Sequence, residues 1–174
     1  MKTLRFLLTT CLGIVAVAGL RADNSKATPR VEVTFNEPDK FTDAADGPRG
    51  TDYGRDGIIE DLKTYLVRKA SVYIPEGQKL TVTINDIDLA GEIEPWRSPQ
   101  AQDVRIIKDI YPPRINLSFK LVDASGATIK EGKKQLRDLT FTMNINPNRS
   151  DPRVYEKALL DDWLRSEFNR PKKK

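Results

Sequence analysis

Ile115, Leu117, Phe119 and Leu121 alternate with polar residues, and Asp123-Ala124-Ser125-Gly126 then turns the chain back through Thr128 to Leu136. A two-residue period puts one set of side chains on one face of a strand. Gly126 offers the positive φ that a tight hairpin turn requires. This stretch predicts a β-hairpin with one apolar face, and a hairpin alone cannot hold such a face out of water. Something must cover it. Lys130, Lys133 and Lys134 on the return strand mark a sheet edge, where charge discourages pairing with another chain. The return strand is expected to continue to Phe141.

The covering elements can be read on either side. Ile58, Leu62, Leu66 and Tyr73 fall near one face of a helix spanning about Arg55 to Tyr73, which Pro75-Glu76-Gly77 stops. Asp151-Pro152 predicts a second helix start, with Asp as the cap and Pro in the first turn. Tyr155, Leu159, Trp163 and Leu164 form its apolar stripe, and it runs to about Phe168. Val31, Val33 and Phe35 make a short first strand. Leu80, Val82 and Ile84 make another, after which the apolar phase shifts to Ile87 and Leu89, and a bulge near Asn85 would produce that shift. Val104, Ile106 and Ile107 predict a further strand, and Pro112-Pro113 must end it. The order β-α-β-β-β-β-α points to a two-layer α+β domain over residues 30–169. Its expected sheet is mainly antiparallel, of about five strands, with two helices on one face.

Residues 1–22 have a different character. Lys2 and Arg5 precede an apolar run from Phe6 to Leu20, and small residues follow it. That is the layout of a cleaved secretory signal peptide, and the run is short for a membrane span of roughly 20 residues. The mature chain is expected to begin at Gly19 or Asp23, outside the cytoplasm. Cleavage after Ala22 removes Lys2, Arg5 and Arg21 and lowers the net charge from +4 to +1. Arg170, Lys172, Lys173 and Lys174 form a basic tail, and without it the body carries −3. A body of that sign lacks the clustered basic face of a nucleic-acid-binding protein. The one cysteine, Cys11, lies in the apolar run, and the chain has no histidine. The mature domain therefore has no disulfides, no thiol or imidazole catalysis and no Cys/His zinc site.

Four stretches are familiar: VEVTFNEPDKFTD from Val31, VTINDIDLAGEIEPWR from Val82, YPPRINLSFKL from Tyr111 and SDPRVYEKALLDDWLRSEF from Ser150. Together they span nearly the whole mature domain. They resemble the bacterial domain-of-unknown-function family 3016, small exported proteins mostly of Gram-negative bacteria. The resemblance implies an envelope location and carries no activity.

Carboxylates and hydroxyls are the reactive groups left. Asp86-x-Asp88 with Gly91 partly matches a calcium loop, but Ala90 and Arg97 stand at positions five and twelve, where oxygen ligands are required. A looser cation site would draw on Asp86, Asp88, Glu92 and Glu94. The expected chain has no metal and no cofactor. Trp96 and Arg97, between Pro95 and Pro99, are residue types that dominate interfaces. Trp96 is either a plug over the core, the commoner outcome, or an exposed anchor. The phase shift after Ile84 and the short Val104 strand would bring Trp96, Arg97, Asp103 and Arg105 to one end of the sheet, with Asp86 and Asp88 beside them. This group is the candidate binding site. The sequence thus favours an exported, non-catalytic interaction or envelope-associated module, meeting an envelope protein or glycan. The alternative is a carboxylate-based hydrolase or glycan-binding protein acting on envelope polysaccharide.

Overall fold

A computed structural model describes residues 29–45, 52–94, 96, 104–143 and 150–168. The expected signal peptide and basic tail lie outside the described residues. Strand β1 (Val31–Phe35) leads through a 3-10 turn at Pro38–Lys40 to helix α1 (Asp52–Ala70) and then to β2 (Lys79–Asp88). Two short strands follow, β3 (Glu92–Ile93) and β4 (Arg105–Ile106). The long hairpin β5 (Arg114–Val122) and β6 (Thr128–Arg137) comes next, and α2 (Val154–Glu167) closes the order.

The main sheet has four strands in the order β1-β2-β5-β6. The expected fifth strand does not join it, because β4 pairs only with β3 in a separate two-stranded sheet. The β2–β5 and β5–β6 pairs are antiparallel. β1 lies parallel to β2, Val33 opposite Val82. Parallel neighbours need a crossover rather than a tight turn, and α1 is that crossover.

Alternation decides which side is buried. Leu80, Val82 and Ile84 of β2 and Ile115, Leu117, Phe119 and Leu121 of β5 are all buried. They join Ile58, Leu62 and Leu66 of α1 and Leu160, Trp163 and Leu164 of α2 in one cluster. Phe119, Trp163 and Phe168 meet edge to face, with centroids 5.7–5.8 Å apart, which ties β5 to α2. Gly132 stands opposite Phe119 in the β5–β6 register. A Cβ there would come within 3.3 Å of the Phe119 ring, so the bare backbone makes room for it.

Two predicted boundaries move. β6 stops at Arg137 rather than reaching Phe141; the Asp138 carboxylate accepts from the Thr140 N–H and hydroxyl in a turn that replaces ladder bonds. The helix predicted to be capped by Asp151 starts at Val154, and its N-cap position is Arg153. Asp151 instead accepts from the Arg153 N–H and from the Lys157 ammonium.

Candidate functional site: the bulged rim of the sheet

The predicted bulge is present. The β2–β5 register slips between Ile84 and Asp86, leaving Asn85 exposed. The extra residue keeps Ile87 and Leu89 in the core and turns Asp86 and Asp88 the other way. Both acids then meet the segment that follows β1. Asp86 accepts from the Thr42 N–H at 2.7 Å and from its hydroxyl at 2.9 Å. Asp43 runs parallel beside Asp88, its N–H donating to the Ile87 carbonyl and its carbonyl accepting from Leu89. Asp88 itself pairs with Arg114, directly opposite on β5.

Arg105 is the centre of the rim. Its Nη1 and Nη2 hold the two oxygens of Asp43 at 2.6 and 3.0 Å. The same nitrogens donate to the carbonyls of Gly91 and Ala45, each at 3.1 Å. A bidentate guanidinium–carboxylate pair is both strong and directional, and here it is largely shielded from water. Gly91 makes the approach possible. It has φ +81°, and a Cβ on it would fall 2.6 Å from the Ile106 carbonyl oxygen.

Below Arg105 the rim is buried and charged. Glu94 is 4 % exposed and accepts from Lys108 and, at 3.2 Å, from the Tyr111 hydroxyl. Burial, helped by that bond to Glu94, raises the Tyr111 phenol above its usual range. Glu156 of α2 is 1 % exposed, and its Oε1 accepts from the Ala90 N–H at 2.7 Å. Its Oε2 has no hydrogen-bond partner among the described residues. Burial pushes this carboxyl well above the ordinary carboxylate range, against the pull of the Ala90 bond and the nearby Arg153 and Arg105.

Trp96 is not a plug: it is 73 % exposed. Val104, Ile107 and Ile110, in the segment that carries β4, are exposed as well. The structure therefore gathers Asp86, Asp88 and Arg105 at one end of the sheet and leaves Trp96 in solvent. Arg97 and Asp103 lie outside the described residues. Among the described residues, no group of three or more Asp, Glu, His or Cys converges as a metal-binding cluster.

A family model matches residues 29–166, which takes in every element from β1 through most of α2. The chain belongs to the DUF3016 family. That family is described as proteins of unknown function. No curated protein matches this DUF3016 chain. Two structures of the PelC dodecamer from Paraburkholderia phytofirmans, one a leucine-to-methionine variant, share 12 % identity with it. The alignments cover 78 % of this chain and 83 or 86 % of theirs, with TM-scores of 0.37 and 0.36. Among the described residues of this DUF3016 protein, no helix is long and apolar enough to cross a membrane.

Sequence reasoning found Arg105 but missed its partner. Asp43 sits in a Gly- and Pro-rich stretch with no periodic signal. Glu156 carried one: it occupies the apolar face of α2, one turn before Leu160 and two before Trp163. A carboxylate on such a stripe indicates a buried acid.

Proposed function

We propose that this protein is an exported, non-catalytic module of the cell envelope that docks a partner protein through the Trp96 rim. The observation that carries the reading is the contrast within the rim. Asp86, Asp88 and Arg105 are held by Thr42, Arg114 and Asp43, whereas Trp96 faces solvent. An exposed tryptophan beside a stiff polar frame is the kind of anchor that interfaces use. Val104, Ile107 and Ile110 are exposed too, and exposed apolar side chains suit contact with protein rather than with sugar. In this reading both helices cover one face of the sheet, so the rim is free for contact. The basic start and apolar run of residues 1–20 support export.

The rim carboxylates do not support the hydrolase alternative. Asp86 and Asp88 are engaged as acceptors for neighbouring groups, where a catalytic pair needs oxygens directed at substrate.

The test is site-specific photocrosslinking in native envelope. A photoreactive residue at the exposed Ile110, which leaves Trp96 in place, is expected to give a discrete adduct, and one at Leu139, exposed in the turn after β6, is not. Trp96→Ala should abolish co-purification of that adduct's partner while the melting temperature stays within a degree or two. Equal labelling from both positions, or a partner retained by Trp96→Ala, refutes the reading.

A further inference from the structure

A second feature lies away from the rim, between the two helices. Tyr65 Oη donates to Asp161 at 2.9 Å, Lys69 Nζ donates to the same carboxylate at 3.2 Å, and Lys157 Nζ bridges Asp61 and Asp151. Residue numbers rise together along these contacts, so α1 and α2 run side by side in the same direction. Between them is an open groove of about 440 Å³, within the size range of small-ligand sites.

The groove is graded in charge. Asp151 lies at its beginning, and Arg68, Lys69 and Arg165 lie in the last turns of the two helices. Its floor is rigid. Burial alone would lower the Lys157 ammonium, but its bonds to Asp151 and Asp61 hold it above its usual range and charged. Burial and the bond to Asp161 raise the Tyr65 phenol, so it remains a neutral donor. Tyr65 is also flanked by cations, with Arg68, Lys69 and Lys157 5.2–5.6 Å from the ring centroid.

Arg68 differs from the other cations. Lys69 and Lys157 are committed to Asp161, Asp61 and Asp151, and Arg165 pairs with Asp162 at 3.3 Å. Arg68 lines the groove, is exposed, and makes no ion pair among the described residues. Its planar fork of donors matches a carboxylate. On the opposite wall, the carboxylates of Asp161 and Asp162 offer acceptor oxygens for hydroxyl donors. The cations around Tyr65 occupy the ring that a neutral sugar would stack on.

We propose that the α1–α2 groove binds a hydroxyl-rich organic anion of the sugar-acid type, with Arg68 forking its carboxylate and the Asp161–Asp162 wall accepting from its hydroxyls. This site is independent of the Trp96 rim, and either can fail without the other.

The experiment follows backbone amide shifts of the isotopically labelled protein while sodium glucuronate, glucose, sodium acetate and inorganic phosphate are added separately. Glucuronate is expected to shift amides of α1 and α2 around Tyr65, Arg68 and Asp161, and to bind about tenfold or more tightly than the other three. Arg68→Gln should weaken glucuronate by about tenfold, and Arg68→Lys, which keeps the charge but not the fork, should weaken it as well. Lys133→Gln, on edge strand β6 and outside the groove lining, should leave it unchanged. The proposal is overturned if glucuronate shifts nothing in the groove, if acetate or phosphate binds as tightly, or if both Arg68 variants bind like the parent.

Discussion

Glu156 on helix α2 hydrogen-bonds the backbone N–H of Ala90 at 2.7 Å, joining two places 66 residues apart with a buried acid. Its folded pKa is raised above the usual 4.5. The folded state therefore holds this proton more tightly than the unfolded chain. Burial costs nothing extra below pH 4.5. The cost grows as pH rises from there through the folded value, and is constant above it. Glu156→Gln keeps the acceptor and removes the charge. Relative to the parent, its stability should improve as pH rises out of the ordinary carboxylate range, by about 1.4 kcal/mol for each unit by which the pKa is raised. Urea titrations at a series of pH values check this. A gap between the two proteins that does not change with pH would show that the Glu156 carboxyl titrates alike in the folded and unfolded chain.

Asp123, Asp151 and Glu167 work in the opposite sense. Their pKa values are lowered, the first by the Ser125 hydroxyl, and the other two by lysines that outweigh burial. Their contributions are present above the ordinary carboxylate range and are lost on acidification. Lys157→Met removes the bridge to Asp151 and should flatten the acid limb of the stability curve. Thermal midpoints measured from about pH 3 to about pH 6 report it.

The Asp43–Arg105 pair should behave as a single unit. Arg105→Ala leaves the Asp43 carboxylate and the Gly91 carbonyl without their donor in a mostly buried place. The expected loss is about 2–4 kcal/mol. The Asp43→Ala, Arg105→Ala double variant should lose less than the sum of the singles. Trp96→Ala, by contrast, should stay within about 0.5 kcal/mol of the parent. A double-mutant cycle in urea tests all three, and an additive result would mean that the clamp is not coupled.

Trp163 is 3 % exposed and touches both Phe119 and Phe168. Truncation to Ala should cost about 3–5 kcal/mol, most of the stability of a small domain. The variant is expected to be largely unfolded or degraded, as judged by circular dichroism and recovery on expression.

Intact-mass measurement on envelope material should give a chain beginning at Gly19 or Asp23. A mass that retains Cys11 would remove the basis for export.

The sequence made some of this legible for clear physical reasons. The bulge at Asn85 could be read because a two-residue period cannot change phase without an extra residue. The alternation of Ile115 to Leu121 identified the central strand, and the stripe through Leu159 and Trp163 identified the packing helix. Pairing partners were another matter. Whether β1 runs parallel or antiparallel to β2 depends on the length and packing of the connection, and nothing in Val31–Phe35 encodes it. β4 is only two residues long, and its exclusion from the main sheet reflects where Gly91 and Arg105 bring the chain. Asp86, Asp88 and Arg105 were found as a group, but Arg105's partner Asp43 and the Lys157 bridge arise only from tertiary contacts. The exposure of Trp96 was likewise undecidable from its neighbours, since proline-flanked loops can fold over a core or stand away from it.

The parallel pairing of β1 also orders events in time. β1 is the first strand of the domain to be made, yet its neighbour β2 begins only at Lys79, after the whole of α1. Until then Val31 and Val33 have no ladder partner, and the buried face of α1 has no sheet beneath it. β2, β5 and β6, by contrast, can assemble by antiparallel pairing in chain order. The domain's leading edge thus waits for its partner through the whole length of the helix that follows it. A chain halted anywhere before Lys79 carries an unpaired strand and an uncovered helix, and would depend on a chaperone or on rapid completion to avoid aggregating.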